Sequence, residues 1–524
     1  MASSILNRLK SNRHVSQTLI SNVCSVRSVY TGRFANINLY SRISPLGTPN
    51  LSLVPVLDQW VEEGKKVRDV ELHRIIRDLR SRKRYAQALE VEFGVGCRNA
   101  HFVKVVNLIE VSEWMSSKEL CPFSPSARAV QLDLIGQVRG LESAENYFNN
   151  MSAEEKIDKM YGALLNCYVR ERVVDKSLSH LQKMKELGFA STSLPYNGLM
   201  CLYINTDQLE KIPDVLSEMQ ENGIAPDNFS YRLCINSYGA RSDLNSMEKI
   251  LEEMESKSHI HIDWMTYSMV ANFYIKAGLN EKALFFLKKA ETKLHKDPLG
   301  YNHLISLYAS LGSKAETMRL WERRKTASKK LINRDYITML GSLVKLGELE
   351  DTEALLKEWE SSGNCYDFRV PNTLLIGFCQ KGLIEKAESM LRDIVEKGKT
   401  PTPNSWSIVA AGYIEKQNME KAFECMKEAI AVLAENKGWR PKPKVISSIL
   451  SWLGDNRDVE KVETFVSALK AVIPMDREMY HAQIRASIRA GKEVDGILDS
   501  MKADKIDEDE ETRKILSLKH DKAE

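Results

Sequence analysis

Apolar residues between Ser193 and Asp227 fall on two helical faces. Leu199, Leu202 and Tyr203 can share one face of a first helix, and Leu209, Ile212, Val215, Leu216 and Met219 follow the i, i+3, i+4, i+7 spacing in a second. Gly223 stands where a helix end favours a left-handed residue, and Pro226 cannot extend that helix. Asp227 can cap the next helix by accepting its free backbone N–H groups. This 35-residue segment recurs. An aromatic residue at its fourth position reappears as Tyr161, Tyr196, Tyr231, Tyr267, Tyr301, Tyr336, Trp406 and Tyr480, in steps of 35, 35, 36, 34, 35, 70 and 74. The two long steps each span two repeats, the intermediate ones carrying Pro371 and Ile446. A small-residue turn follows the aromatic position, as in "AGLNEKA" at 277–283, "KGLIEKA" at 381–387 and "AGKEV" at 490–494. One helix pair cannot bury both of its faces, so neighbours must stack. The pattern predicts an all-α fold, an α-solenoid superhelix of about 11–12 helix-turn-helix repeats.

Units are expected to begin at 124, 158, 193, 228, 264, 298, 333, 368, 403, 443 and 477. The unit from 403 runs to 40 residues and contains the loop "ENKGWRPKPK". An earlier unit begins at Asp69, but residues 91–110 interrupt its second helix with Gly94 and Gly96, each costing about 1 kcal/mol relative to Ala in a helix interior. Removing those residues restores a length of 35, so 91–110 reads as an insertion, such as unspliced sequence, or as a surface loop. The repeat array is thus expected over 69–510, with a linker at 46–68 and a polar tail at 511–524.

The 524 residues, 43% hydrophobic and 28% charged, exclude a wholly disordered chain. No run reaches the roughly 18–20 apolar residues of a membrane span, and no membrane partner is expected. The nine Cys are scattered, with no CxxC pair, and read as buried hydrophobes. The net charge of +3 is unevenly placed: residues 1–57 hold six basic side chains and no acid. With Ile5, Leu6 and Leu9 opposite Arg8 and Arg13, residues 1–45 are expected to be a transit peptide, for the mitochondrion or alternatively the plastid. Without those six charges, 68 Lys+Arg face 71 Asp+Glu, which argues against a general polyanion binder.

The 35-residue period, with Tyr196-Asn197 and Tyr301-Asn302 early in the first helix, Glu218-Met219 and Glu253-Met254 late in the second, and G-x-x-P-D ending at Asp227, resembles the pentatricopeptide repeat family, P class, of plant organelles. The tetratricopeptide pattern fits less well, because its recurrent Trp and Gly are missing. The resemblance implies that the fifth and last residues of each repeat read one base of single-stranded RNA and that the second residue flanks it. Those positions are Asn197/Asp227, Arg232/Asp263, Ser268/Asp297, Asn302/Ile332, Asn372/Thr402 and Ser447/Asp476, with Leu194, Phe229, Met265 and Leu299 as flanking residues. In family terms Asn197/Asp227 is uracil-like, and Ser268/Asp297 and Ser447/Asp476 are guanine-like. Arg232 and Ile332 depart from the pattern. Position thirteen, near a phosphate in the family, is basic in Arg170, Lys276, Lys345 and Arg489. Asn at a helix start and Asp between helices are also ordinary caps.

No chemistry is expected. The cytidine-deaminase extension needs H-x-E with a distant C-x-x-C, and neither occurs. His259 and His261 share a loop without an evident third ligand, and there is no GxxxxGK. No cofactor, metal or catalytic residue is predicted. Two roles remain: a non-enzymatic organellar RNA-binding protein acting in transcript stability, processing or translation, or a scaffold in a mitochondrial ribonucleoprotein such as the ribosome, with other protein partners.

Overall fold

A computed structural model describes residues 54–64 and 125–518, apart from 296, 328–329, 433–438, 457 and 471. The expected transit segment, the unit beginning at Asp69 and the 91–110 insertion lie outside the described residues. The 46–68 linker contains α1 (Val54–Glu62). Among the described residues every regular element is helical, and the chain divides into two compact units, 1–237 and 238–524.

The first unit stacks helix pairs: α2 (Pro125–Val138) with α3 (Leu141–Asn149), α4 (Asp158–Arg170) with α5 (Val174–Glu186), and α6 (Ser193–Asn205) with α7 (Ile212–Glu221), and it includes α8 (Asn228–Ala240) as far as Ser237. The second unit continues from Tyr238 with α9 (Leu244–Ser256). Its pairs are α10 (Trp264–Lys276) with α11 (Asn280–Thr292), α12 (Pro298–Ser310) with α13 (Lys314–Ala327), and α14 (Asn333–Leu346) with α15 (Leu349–Ser361). Then follow α16 (Arg369–Gln380) with α17 (Ile384–Glu396), α18 (Pro403–Glu415) with α19 (Met419–Ala431), α20 (Pro443–Asp455) with α21 (Val459–Lys470), and α22 (Arg477–Ala490) with α23 (Asp495–Ala503), closed by α24 (Glu510–Ser517).

Where the recurrent aromatic residue is present it is a core anchor of its pair. Tyr161, Tyr196, Tyr231, Tyr267, Tyr301, Tyr336, Trp406 and Tyr480 are all buried. A buried phenol needs a partner, and a nearby carboxylate supplies it: Tyr267 of α10 donates to Glu255 Oε1 at 2.9 Å near the end of α9, in the preceding pair, and Tyr480 of α22 to Asp504 Oδ2 at 2.6 Å just beyond α23, in its own pair. Burial and the bond to Asp504 push the Tyr480 hydroxyl up to about 12. The turn inside most pairs takes left-handed backbone. Gly278 and Gly347 supply it with φ of 74° and 83°, whereas Asp207 and Ser242 adopt φ of 58° and 62° at the same place.

The polar tail expected from residue 511 is corrected through Ser517. Asp509 accepts the Thr512 N–H at 2.8 Å and starts α24, which lies one repeat length after α22 and so occupies the place of a further first helix. Ile515 is buried with Tyr480, Ile484, Ile488, Val494 and Met501. Ile515, with Leu516 and Leu518 packed against the same core, anchors this short helix, and so few apolar residues beside "DEDEE" are why the segment reads as solvated in the sequence.

Candidate RNA-reading positions

In the first unit Asn197 lies on the first turn and a half of α6, and Asp227 in the link before α8. They meet: Asn197 Nδ2 donates to Asp227 Oδ1 and Oδ2, both at 3.2 Å. Two serines complete the network. Ser193 Oγ donates to Asp227 Oδ2 at 2.7 Å, and Ser230 Oγ to Asn197 Oδ1 at 2.7 Å. Asp227 also accepts the Ser230 N–H at 2.8 Å, so it caps α8 while orienting the amide. Burial alone would raise its pKa, but the bonds from Ser193, Ser230 and Asn197 outweigh this and hold the carboxyl below its ordinary value. The Asn197 side chain is thereby fixed in orientation and nearly fully buried. Beside it the flanking residues stand out: Leu194 is 73% exposed and Phe229 43%. The Arg232 guanidinium lies 5.8 Å from the Phe229 ring centroid.

In the second unit the end-of-repeat residues again bond the next helix. Asp263 accepts the Thr266 N–H at 3.0 Å, Asp297 that of Leu299 at 2.9 Å, and Asp476 that of Met479 at 3.0 Å. Thr402 Oγ1 accepts that of Ser405 at 3.4 Å. Their fifth-position partners differ from Asn197. Ser268 Oγ donates to the Met265 carbonyl at 3.0 Å within its own helix, and Ser447 Oγ to Glu478 at 2.5 Å. Met265 is exposed, Leu299 half-buried.

At Asn302 the network is rebuilt with a carboxylate three residues later. Ile332 offers none and is exposed, so Asn302 Nδ2 donates to Asp335 Oδ1 at 2.8 Å. Asp335 is fully buried and paired with the buried Arg324, whose Nη2 lies 2.8 Å from Oδ2. Asn372 is likewise buried, and its Oδ1 has no hydrogen-bond partner among the described residues. Ser193, Ser230, Asp335 and Arg324 were not singled out from sequence. The signal available for Asp335 was an acid at the third helical position after a unit end that lacked one.

Most other charge is consumed between neighbouring repeats. Second helices are laced by Lys176–Glu145 at 2.6 Å in the first unit, and by Lys289–Glu255 at 3.0 Å, Lys314–Glu348 at 2.8 Å and Lys421–Glu388 at 3.1 Å in the second. Of the thirteenth-position cations, Arg170 pairs with Asp133 at 2.9 Å and Arg489 with Asp455 at 2.8 Å. Lys345 donates to Ser310 Oγ at 2.6 Å, and the Lys276 ammonium lies 5.7 Å from the Phe273 ring centroid. Among the described residues no group of three or more His, Cys, Asp or Glu could hold a metal ion, and no helix is long and apolar enough to cross a membrane.

Comparison with known proteins agrees with the period. A family model described as the PPR repeat family matches residues 193–240, and the single PPR repeat matches 159–189, 229–259, 335–364 and 370–398. A mitochondrial pentatricopeptide repeat-containing protein of Arabidopsis thaliana is 48% identical over 95% of this chain and 98% of its own length. A second mitochondrial relative from the same plant is 36% identical over 84% of this chain and 86% of its own. Large ribosomal subunit protein mL101 of Arabidopsis thaliana is 38% identical over 93% of this chain and 95% of its own. Among solved structures, the pentatricopeptide repeat protein PPR10 from maize aligns with a TM-score of 0.42 at 18% identity, covering 90% of this chain and 68% of that one.

Proposed function

The chain belongs to the pentatricopeptide repeat family, and we propose that it is a non-catalytic mitochondrial protein that binds single-stranded RNA and acts in transcript stability, processing or translation. The observation that carries this reading is the Asn197–Asp227 pair. Its amide is held by Asp227 and Ser230, with Ser193 bracing Asp227, while Leu194 and Phe229 stand exposed at the starts of α6 and α8. A flat base can rest on such apolar side chains and present its edge to an oriented amide. The Asp227 carboxylate is taken up by its bonds from Ser193, Asn197 and Ser230, so in this reading it serves by capping α8 and fixing the Asn197 amide, not by offering a free lone pair to the base. The other pairs named from sequence are proposed as weaker readers. Arg232, 5.8 Å from the exposed Phe229 ring, is placed to add stacking or phosphate attraction.

A second reading is a scaffold within the mitochondrial ribosome, favoured by the mL101 relative and by the pairing of so many lysines with glutamates of the adjacent repeat. Equilibrium binding of the purified chain to a uridine-containing single strand, across a salt series, separates the two. The RNA-reading role predicts affinity for the single strand over a duplex, a salt slope of about −0.7 per phosphate contacted, and weakening by Asn197→Ala with Asp227→Ala. No single-strand preference, with the native protein sedimenting in the large ribosomal subunit, would favour the scaffold.

A further inference from the structure

Along the second unit the first helices α10, α12, α14, α16, α18 and α20 stack in that order. The second residue of each repeat stands at the start of such a helix, and its chemistry changes partway along. Met265 and Leu299 are apolar, but Arg334, Arg369 and Lys444 are cations, with Asn404 between the last two. The links entering these helices change as well. Earlier units end on Asp263 and Asp297, whereas the unit from 403 ends on Lys442, two residues after Arg440. No acid occurs from 397 to 414 or from 439 to 454.

The charge in this region is available. Lys399, Arg440, Lys442 and Lys444 are exposed, and among the described residues none of the four forms an ion pair. That sets them apart from the lysines of the second helices, which lie against glutamates of the adjacent repeat. Several of these cations surround one surface cleft. Arg369 and Trp439, which precedes Arg440, line it with Tyr366, whose ring centroid lies 5.0 Å from the Lys399 ammonium. Asp367 is the one acid lining the cleft, and its Oδ2 accepts from Arg369 Nη2 at 2.7 Å.

An unstacked base gives up its own stacking and is compensated by a flat apolar or aromatic surface. Where cations replace that surface, the favoured ligand keeps its bases stacked on one another and presents phosphate outwards. A base-paired RNA stem does so, and A-form stems are recognised by shape and by contacts to phosphates and 2′-hydroxyls. We propose that the basic strip from Arg334 to Lys444 holds the phosphate backbone of a base-paired stem adjoining the bound single strand, without reading its sequence. The assignment rests on the RNA-binding reading above and adds a second form of ligand on a separate set of side chains.

The test uses the full-length chain and two RNAs: a uridine-containing single strand, and the same strand continued at either end into a hairpin stem. Equilibrium binding across a salt series compares wild type with the triple variant Arg440→Gln, Lys442→Gln, Lys444→Gln. The stem should tighten binding by wild type, and recoding its base pairs should leave affinity within about twofold, because phosphate contacts carry no sequence. The triple variant should lose that gain, with a salt slope on the stem RNA shallower by about 0.9 for each phosphate contact removed. Its affinity for the strand alone should be unchanged. A charge-preserving variant, Arg440→Lys with Lys442→Arg and Lys444→Arg, should keep the gain. All three side chains are exposed, so helical circular dichroism should be the same in every variant. Strand binding by wild type that the stem does not improve would overturn the stem assignment alone. So would equal losses on both RNAs in the triple variant, which would give these cations to the single strand. Stem binding that the triple variant retains in full would also overturn it and leave an acidic protein surface as the partner of the strip. No binding of either RNA by wild type would overturn the RNA-binding reading and this assignment with it.

Discussion

Asp335→Ala should be among the most damaging single substitutions in the second unit. The carboxylate is fully buried and serves four donors: Arg324 Nη2 at 2.8 Å, Arg324 Nε at 3.3 Å, Asn302 Nδ2 at 2.8 Å and the Ile332 N–H at 2.9 Å. Arg324 is only 2% exposed and cannot shed its proton, so the variant strands a buried cation. Removing one partner of such a pair costs about 3–5 kcal/mol. Replacing both charges, as in Arg324→Met with Asp335→Asn, should restore most of that, because the Met fills similar volume and the Asn still accepts from Asn302. Each repeat contacts only its neighbours, so the loss should be local and a single unfolding midpoint would blur it. Hydrogen exchange followed by mass spectrometry is the suitable assay. Peptides from α12 to α14 should exchange about two to four orders of magnitude faster in Asp335→Ala, with peptides from α20 onward unaffected. A change below tenfold, or a double variant as labile as the single one, would refute the argument that an uncompensated charge sets the cost.

Glu388 accepts from Arg392, Lys421 and Tyr413; although burial would raise its pKa, those bonds hold it at about 2, below the ordinary 4.5. A depressed folded value means that its stabilisation is complete above pH 4.5 and is lost as pH falls towards 2. The stability gap between wild type and Glu388→Gln should therefore be flat above pH 5 and close in acid, as measured by chemical denaturation. Ile515→Ala should release α24, at a cost of about 2–5 kcal/mol, seen as rapid proteolysis after 508 and faster exchange in α22. Gly239→Ala places a methyl against the Phe273 ring and should destabilise α8 and α10 by about 1–3 kcal/mol, read by exchange in those helices.

Much of this architecture is legible in the chain because it repeats. A lone Asn-to-Asp spacing says little, but Tyr196-Asn197 through Asp227 recurs in phase, and the helix pairs follow from its period. Leu194, Phe229 and Met265 follow from the family resemblance, as second positions of their repeats, and all three are exposed. What escaped reading is what breaks the repeat. Asp335 does the work that Asp227 does elsewhere, but from inside the next helix, and only burial with Arg324 reveals it. The helix α24 was hidden by its acids, although those acids occupy a helix N-terminus, where negative charge is favourable.

The central claim is that oriented side chains on successive helix starts read RNA. Crosslinking and immunoprecipitation of the tagged protein from isolated mitochondria, with sequencing of the bound RNA, tests it most directly. The account predicts a short, sharp footprint on one or two organellar transcripts, lost when Asn197→Ala is combined with Asp227→Ala. Broad ribosomal RNA signal that persists in that variant, with the protein travelling in a large particle, would contradict it and leave these residues as helix caps.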